Sequence, residues 1–279
     1  MQRHDANLTG LHEGLDSPLN AAVGLRDADT LRMVTEAIRH GQVLLAFQPV
    51  VRARARQEIV FHEALIRVLD ATGRVIPAKE FIDAVEGCEA GRQLDCLALE
   101  LGLGVLASHP SLRLSINMSA RSIGYGRWMR SLDAGLRRRP DIAERLILEI
   151  SESSAVQIPE LVVDFMDDLR ARGISFALDD FGSGFSSFRH FRDFFFDILK
   201  LDGQFSRGIR ADPENRVLAG GIAAIARGLD MYTVASRVEH PEDARILTEL
   251  GFDCLQGFLF GAPTINPEWQ AKKKNSDAA

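Results

Sequence analysis

The sequence predicts an α/β fold: a modified TIM-like (β/α)8 barrel with an antiparallel first strand. Three observations carry that prediction. Eight short apolar runs recur along the chain, most of them continuous rather than alternating, as expected of strands in a helix-covered parallel sheet. From the second run onward, segments of helical character separate them, which implies βαβ units. Only about seven residues (RARARQE) join the first run to the second, too few for a helical crossover. Those two strands should form an antiparallel hairpin. The pattern alone also admits an open sheet.

In chain order the predicted strands are Leu44–Val51, Ile59–Leu69, Leu112–Met118, Leu146–Ile150, Ile174–Leu178, Phe196–Leu201, Met231–Ala235 and Phe252–Phe260. Ala78–Ala107 supplies two helices, followed by Arg121–Arg139, Pro159–Arg172, a shorter one near Ser186–Asp193, Pro213–Gly228 and Pro241–Leu250. Asp212 before Pro213 is a helix N-cap signal, and Gly173 and Gly251 stand where a helix ends in a left-handed residue. Residues 28–268 make one domain. Residues 1–27 lack a sustained period and read as a polar, flexible leader, and residues 269–279 as a polar tail.

At 279 residues, 46% hydrophobic and 26% charged, the composition is that of a globular protein with a large core. A net charge of −6 argues against binding polymeric nucleic acid, which usually needs a basic face. It leaves room for a small phosphate ligand at a local metal site. Cys88, Cys96 and Cys254 form no metal-ligand spacing and read as reduced thiols. No apolar run reaches the ~20 residues of a membrane span and the N-terminus has no signal core, so a cytoplasmic location is expected.

Barrel enzymes place their chemistry at the C-terminal ends of the strands. Those positions here carry Asn117, Glu149 with Glu152 just beyond, Asp179 and Asp180, Lys200 and Asp202, Glu239, and Gln256; Glu63 lies within the second strand. Any one acid at a strand end is ordinarily a solvated loop residue or a helix cap. Glu63 and Glu149 instead interrupt buried-looking runs, where an unpaired carboxylate costs several kcal/mol. Acids converging on one rim repel unless cations lie between them, and an all-oxygen set favours Mg2+ or Mn2+ over zinc. Adjacent Asp179 and Asp180 could serve one or two ions. Lys200, on an apolar strand, calls for an anionic partner such as phosphate. Gly182 and Gly184 permit a tight loop over a ligand, or simply a β/α turn.

Seven blocks in fixed order now resemble a known family. They are Phe47-Gln48-Pro49, Glu63-Ala64-Leu65-Ile66-Arg67, Ser115-Ile116-Asn117-Met118-Ser119, Leu148-Glu149-Ile150-Ser151-Glu152-Ser153, Asp179-Asp180-Phe181-Gly182-Ser183-Gly184-Phe185-Ser186-Ser187, Leu199-Lys200-Leu201-Asp202 and Gln256-Gly257-Phe258. The set is similar to the EAL family of cyclic di-GMP phosphodiesterases. The resemblance implies a barrel with an antiparallel first strand and hydrolysis of cyclic di-GMP to linear pGpG. It further implies that Glu63, Asn117, Glu149 and Asp179 hold one Mg2+ or Mn2+ ion and that Asp180 helps hold a second. Lys200 would support the attacking water and phosphate, Gln48 and Arg67 would contact the ligand, Gln256 would support the catalytic end, and Glu152 would anchor the loop after Asp180. Homodimers and fusions to sensory domains are common in the family.

One block departs. Val234-Ala235-Ser236-Arg237-Val238-Glu239 stands where the family reads Val-Ala-Glu-Gly-Val-Glu, so a ligand expected for the second ion is Ser236. A neutral hydroxyl is a weak ligand for a hard cation. Two functions stay open at this point: a metal-dependent phosphodiesterase, weakened or intact, and a catalytically silent cyclic di-GMP receptor acting through a signalling protein partner. Arg237 either grips a phosphate or points to solvent.

Overall fold

The structure, a computed structural model, describes residues 18–183 and 194–270. The first 17 residues of the expected leader, the predicted helix near Ser186–Asp193, the loop residues from Gly184 and the tail from residue 271 lie outside the described residues.

A closed barrel of eight strands carries the molecule, with helices around it. The strands are β1 (Val43–Arg52), β2 (Ala55–Leu69), β4 (Leu114–Asn117), β5 (Leu146–Ser151), β6 (Ser175–Phe181), β7 (Ile198–Leu201), β8 (Tyr232–Ala235) and β9 (Cys254–Gln256). They follow the order β1-β9-β8-β7-β6-β5-β4-β2, and the β1–β2 pairing closes the ring. β1 runs antiparallel to both neighbours, while the pairs from β2 through β9 are parallel. The short connection thus has the consequence expected of it, and Ala53 and Arg54 alone separate the two hairpin strands. A three-residue strand not predicted from the pattern, β3 (Val75–Pro77), adds to the outer edge of β2. It is too short to show a period. The last predicted strand shrinks to Cys254–Gln256, because Phe260 N–H turns back onto the Gly257 carbonyl.

The principal helices are α1 (Pro18–Arg39), α2 (Ile82–Val85), α3 (Glu89–Ser108), α4 (Gly126–Arg138), α5 (Glu152–Ala155), α6 (Pro159–Arg170), α7 (Gly203–Ser206), α8 (Pro213–Gly228) and α9 (Pro241–Glu249). α8 has the predicted bounds, with Asp212 accepting from Asn215 N–H at its N-terminus. α1 departs from expectation, because it begins at Pro18, inside the segment read as a leader. Its second half packs through Leu31, Val34, Ala37 and Ile38 against Val68 and Phe81. Its described early residues are exposed and carry no apolar face, which hides the helix from pattern reading.

Strand side chains alternate between the barrel interior and the helix layer. Outward residues build the main core with α3, α4 and α6, centred on Leu99, Ile116, Trp128, Leu148 and Phe176. Inward, one apolar layer plugs the barrel: Val50, Phe61, Ile147, Ala177, Ile198, Val234 and Cys254 pack together.

Candidate active site

The site is the next layer up. Two residues further toward the C-terminal rim on each strand (one reversed step on β1), the inward residues are Gln48, Glu63, Asn117, Glu149, Asp179, Lys200, Ser236 and Gln256. Strand period and barrel closure therefore bring a polar residue from seven strands, and Ser236 from the position just past β8, onto one floor. Above it opens a cavity of about 550 Å3, whose lining includes Gln48, Glu63, Arg67, Asp179, Asp180, Lys200, Ser236, Arg237 and Gln256.

Lys200 sits at the centre of this floor, 2% exposed. Its Nζ lies 2.5 Å from Glu149, 3.1 Å from Glu63 and 3.2 Å from Asp179. The anionic partners that Lys200 required are thus the carboxylates themselves. Glu63 also accepts from Asn117 Nδ2 at 2.8 Å and from Gln256 Nε2 at 2.6 Å. Gln256 Nε2 lies 3.3 Å from Gln48 Oε1, and Gln48 donates to the Gly261 carbonyl at 3.1 Å. The chain Gly261–Gln48–Gln256–Glu63 locks the β1, β2 and β9 side of the floor.

Electrostatics divide the acids. Burial works to raise the Glu63 carboxyl, but Lys200, Gln256 and Asn117 together hold it below its ordinary range. Glu149 is pushed up to about 8 by burial and by the charge of Glu63, against the pull of Lys200. Burial also raises Asp179, with Lys200 opposing. Burial lowers Lys200, yet its three carboxylates hold the ammonium well above its usual value. Fully ionised, three carboxylates against one ammonium would carry two negative charges, which one divalent ion would balance.

Donor chemistry and geometry both fit such an ion. Glu63, Glu149 and Asp179 offer oxygens that all lie within 4.8 Å of one another. Glu149 Oε1 is buried without a hydrogen-bond partner. A buried oxygen with an unused lone pair is costly, and a cation satisfies it.

Asp180 reaches the cavity by a different device. Adjacent residues of a regular strand face opposite sides, yet both Asp179 and Asp180 line the pocket. β6 bulges here: Leu178 pairs with Leu199 and Phe181 with Leu201, three steps against two. Asp180 takes a left-handed backbone, φ 53°. Partial desolvation and Asp179 raise its carboxyl, with Lys200 and Arg237 among the groups acting on it.

The chain matches the family model described as the EAL domain over residues 31–263. It belongs to the EAL domain family. Among its relatives, the cyclic di-GMP phosphodiesterase PdeB of Shewanella oneidensis is 29% identical over 235 residues, covering 82% of this chain and 27% of that protein. The cyclic di-GMP phosphodiesterase NbdA of Pseudomonas aeruginosa is 31% identical over 233 residues, covering 82% of this chain and 30% of that protein. This EAL chain thus spans less than a third of either relative's length. Among solved structures, the PaMucR phosphodiesterase in complex with c-di-GMP superposes with a TM-score of 0.75 at 27% identity, covering 87% of this chain and 99% of that one. The Pseudomonas aeruginosa FimX EAL domain shares the fold, with a TM-score of 0.77 at 22% identity over 85% of this chain and 97% of that one.

Other candidate residues fall outside this floor. Glu152, almost fully buried, accepts from Gly182 N–H at 2.8 Å, so it grips the start of the loop after β6. Glu239 forms a surface ion pair with Arg207 at 3.1 Å, and Asp202 caps α7 through Gln204 N–H. Sequence reasoning missed Pro77, Ala78 and Lys79 on one wall of the pocket and Phe258, Ala262 and Pro263 on another. The Pro77 and Pro263 breaks were the available signals. No helix among the described residues is long and apolar enough to cross a membrane.

Proposed function

We propose that this EAL domain binds cyclic di-GMP and hydrolyses one of its phosphodiester bonds to linear pGpG. The observation that carries the reading is the trio Glu63, Glu149 and Asp179 gathered on a polar floor beneath a cavity of nucleotide size. Those three would hold Mg2+ or Mn2+, with Asn117 and Asp180 as further oxygen donors. A bound ion of this kind polarises a phosphoryl oxygen and lowers the pKa of a coordinated water. Lys200, locked among the carboxylates and protonated throughout, stabilises negative charge that grows on the phosphoryl group. Arg67 and Gln48 line the pocket where they meet the ligand, and Gln256 fixes Glu63 in place. Glu152 holds Gly182, and through it the loop that leaves the site.

Ser236 favours a second reading. On the floor of the barrel it offers a neutral hydroxyl where the resemblance calls for a carboxylate. A receptor that binds cyclic di-GMP and signals through a protein partner follows from that weakness.

Incubation with cyclic di-GMP and Mg2+ or Mn2+ separates the two, with affinity and pGpG both measured. Product that vanishes in Glu63→Ala supports the enzyme. Tight binding without product supports the receptor, and absence of binding refutes both.

A further inference from the structure

We propose that Arg237 is a phosphate-binding residue of this pocket, a fixed cation that lets the domain hold its nucleotide without a divalent ion. The proposal rests on the cyclic di-GMP reading and assigns a new role within it. Four observations carry it. Arg237 lines the same cavity as Glu63, Asp179 and Asp180. Its backbone is left-handed, φ 56°, a conformation that costs an L-residue energy and that glycine adopts freely. Its stem is bedded on Gly203: a Cβ there would meet Arg237 Cβ, Cγ and Cδ at 2.8, 2.6 and 2.2 Å. Finally, the side chain is exposed, has no ion pair or hydrogen bond with the described residues, and acts through its charge on the neighbouring Asp180 of the cavity. A conformationally expensive, glycine-seated guanidinium on the cavity lining, with its donors open to solvent, is placed to receive an anionic group of a ligand.

The chemistry selects an anion. Lys200 is buried in the floor and shared among three carboxylates, whereas Arg237 stands exposed on the cavity lining. Arg67 spends a donor on the Ile66 carbonyl. Lys79, also on the cavity lining, offers a point charge, whereas Arg237 offers a guanidinium fork that matches two oxygens of one phosphodiester. The trio of carboxylates has room for one ion, and Asp180 is not part of it. Arg237 supplies positive charge on that Asp180 side of the cavity.

The test is the Kd for cyclic di-GMP in EDTA, where turnover cannot contribute, for wild type, Arg237→Gly and Arg237→Lys. Glycine removes the guanidinium and relieves the backbone, so folding is not the obstacle; thermal melts confirm it. We expect metal-free binding by the wild type, a Kd roughly 10- to 100-fold weaker in Arg237→Gly, and an intermediate value in Arg237→Lys. An Arg237→Gly Kd within twofold of wild type overturns the proposal. So does wild-type binding that appears only with Mg2+, which leaves the cyclic di-GMP reading standing. Wild-type binding in neither condition removes both.

Discussion

Replacing Lys200 with methionine keeps the side chain's length and removes its charge from the centre of three carboxylates. At an effective dielectric of about 20, each contact near 3 Å is worth roughly 5 kcal/mol before desolvation is counted. Burying the ammonium offsets much of that gross attraction. The net loss on removing one member of such a buried group is about 3–5 kcal/mol, because the remaining charges stay buried and unpaired. For a chain of this size that loss corresponds to a fall in Tm of roughly 10 °C. The fall depends on pH with a definite sign. Glu149 sits near 8 in the folded protein, above its unfolded range, so the stability tied to its proton is full at low pH and is lost as pH rises through 8. Without Lys200 the carboxylates lean harder on protons. The gap between variant and wild type should therefore be small at pH 5 and full at pH 8.

Mg2+ should then act oppositely to its absence. Lys200 and a divalent ion draw on the same three carboxylates, so the variant should gain more from the metal than the wild type does. At 100 times Kd the ion contributes about 2.7 kcal/mol. Urea titrations in EDTA and in Mg2+, at pH 5 and pH 8, measure all four quantities. A variant within 1 kcal/mol of wild type in EDTA at pH 8 would refute the electrostatic account of the floor. An equal Mg2+ gain in both proteins would refute the shared-carboxylate account.

Three further outcomes follow from the structure. Ser236→Glu adds a carboxylate to the floor: its Tm in EDTA should fall, its Mg2+-induced rise in Tm should exceed that of wild type, and pGpG formation should increase. Asp95→Asn probes a separate site, where burial pushes the partly buried Asp95 up to about 7 despite hydrogen bonds from Ser122 and Ser119 N–H. Its folded value lies above the unfolded one, so wild-type stability falls between about pH 4 and pH 7, and urea titrations should show the variant ahead by ~1–2 kcal/mol at pH 8 but not at pH 4. Trp128→Ala empties a fully buried position beside Phe165 and should cost about 3–5 kcal/mol by chemical denaturation, with cyclic di-GMP affinity unchanged while the protein is folded.

Much of the fold was legible because its signals are local. A seven-residue connection cannot hold a crossover, and the reversed β1 follows from that alone. α8 announces itself by Asp212-Pro213 at one end. The floor was legible for a deeper reason. Phe61 precedes Glu63 by two residues, and Ile147 and Glu149, Ala177 and Asp179, Ile198 and Lys200, Val234 and Ser236, and Cys254 and Gln256 repeat the step. Apolar, then polar two residues later, is what a parallel strand writes when it plugs a barrel below and opens a site above. What stayed hidden depends on backbone departures from that period. The described early side chains of α1, from Ala22 to Asp29, are exposed and leave no buried pattern.

The Asp179–Asp180 and Ser236–Arg237 pairs were named from the sequence, but the strand period alone does not bring both members of either pair to the site. A strict period of two sends Asp180 and Arg237 outward, away from the chemistry. Both instead carry φ near +55°, and both line the cavity. The bulge against β7 lets β6 present consecutive acids, and the left-handed Arg237 lets the chain beyond β8 present a cation to the cavity directly after Ser236. Aspartate tolerates that backbone comparatively well and arginine does not, so the energetic burden falls where a glycine would have relieved it. Strain at a ligand-facing position persists only when the surrounding structure holds it in place, which is the part Gly203 plays beneath the Arg237 stem. The two departures from strand period thus differ in kind: Asp179–Asp180 keeps the residue pattern of the resemblance, while Ser236–Arg237 leaves both that pattern and the strand period.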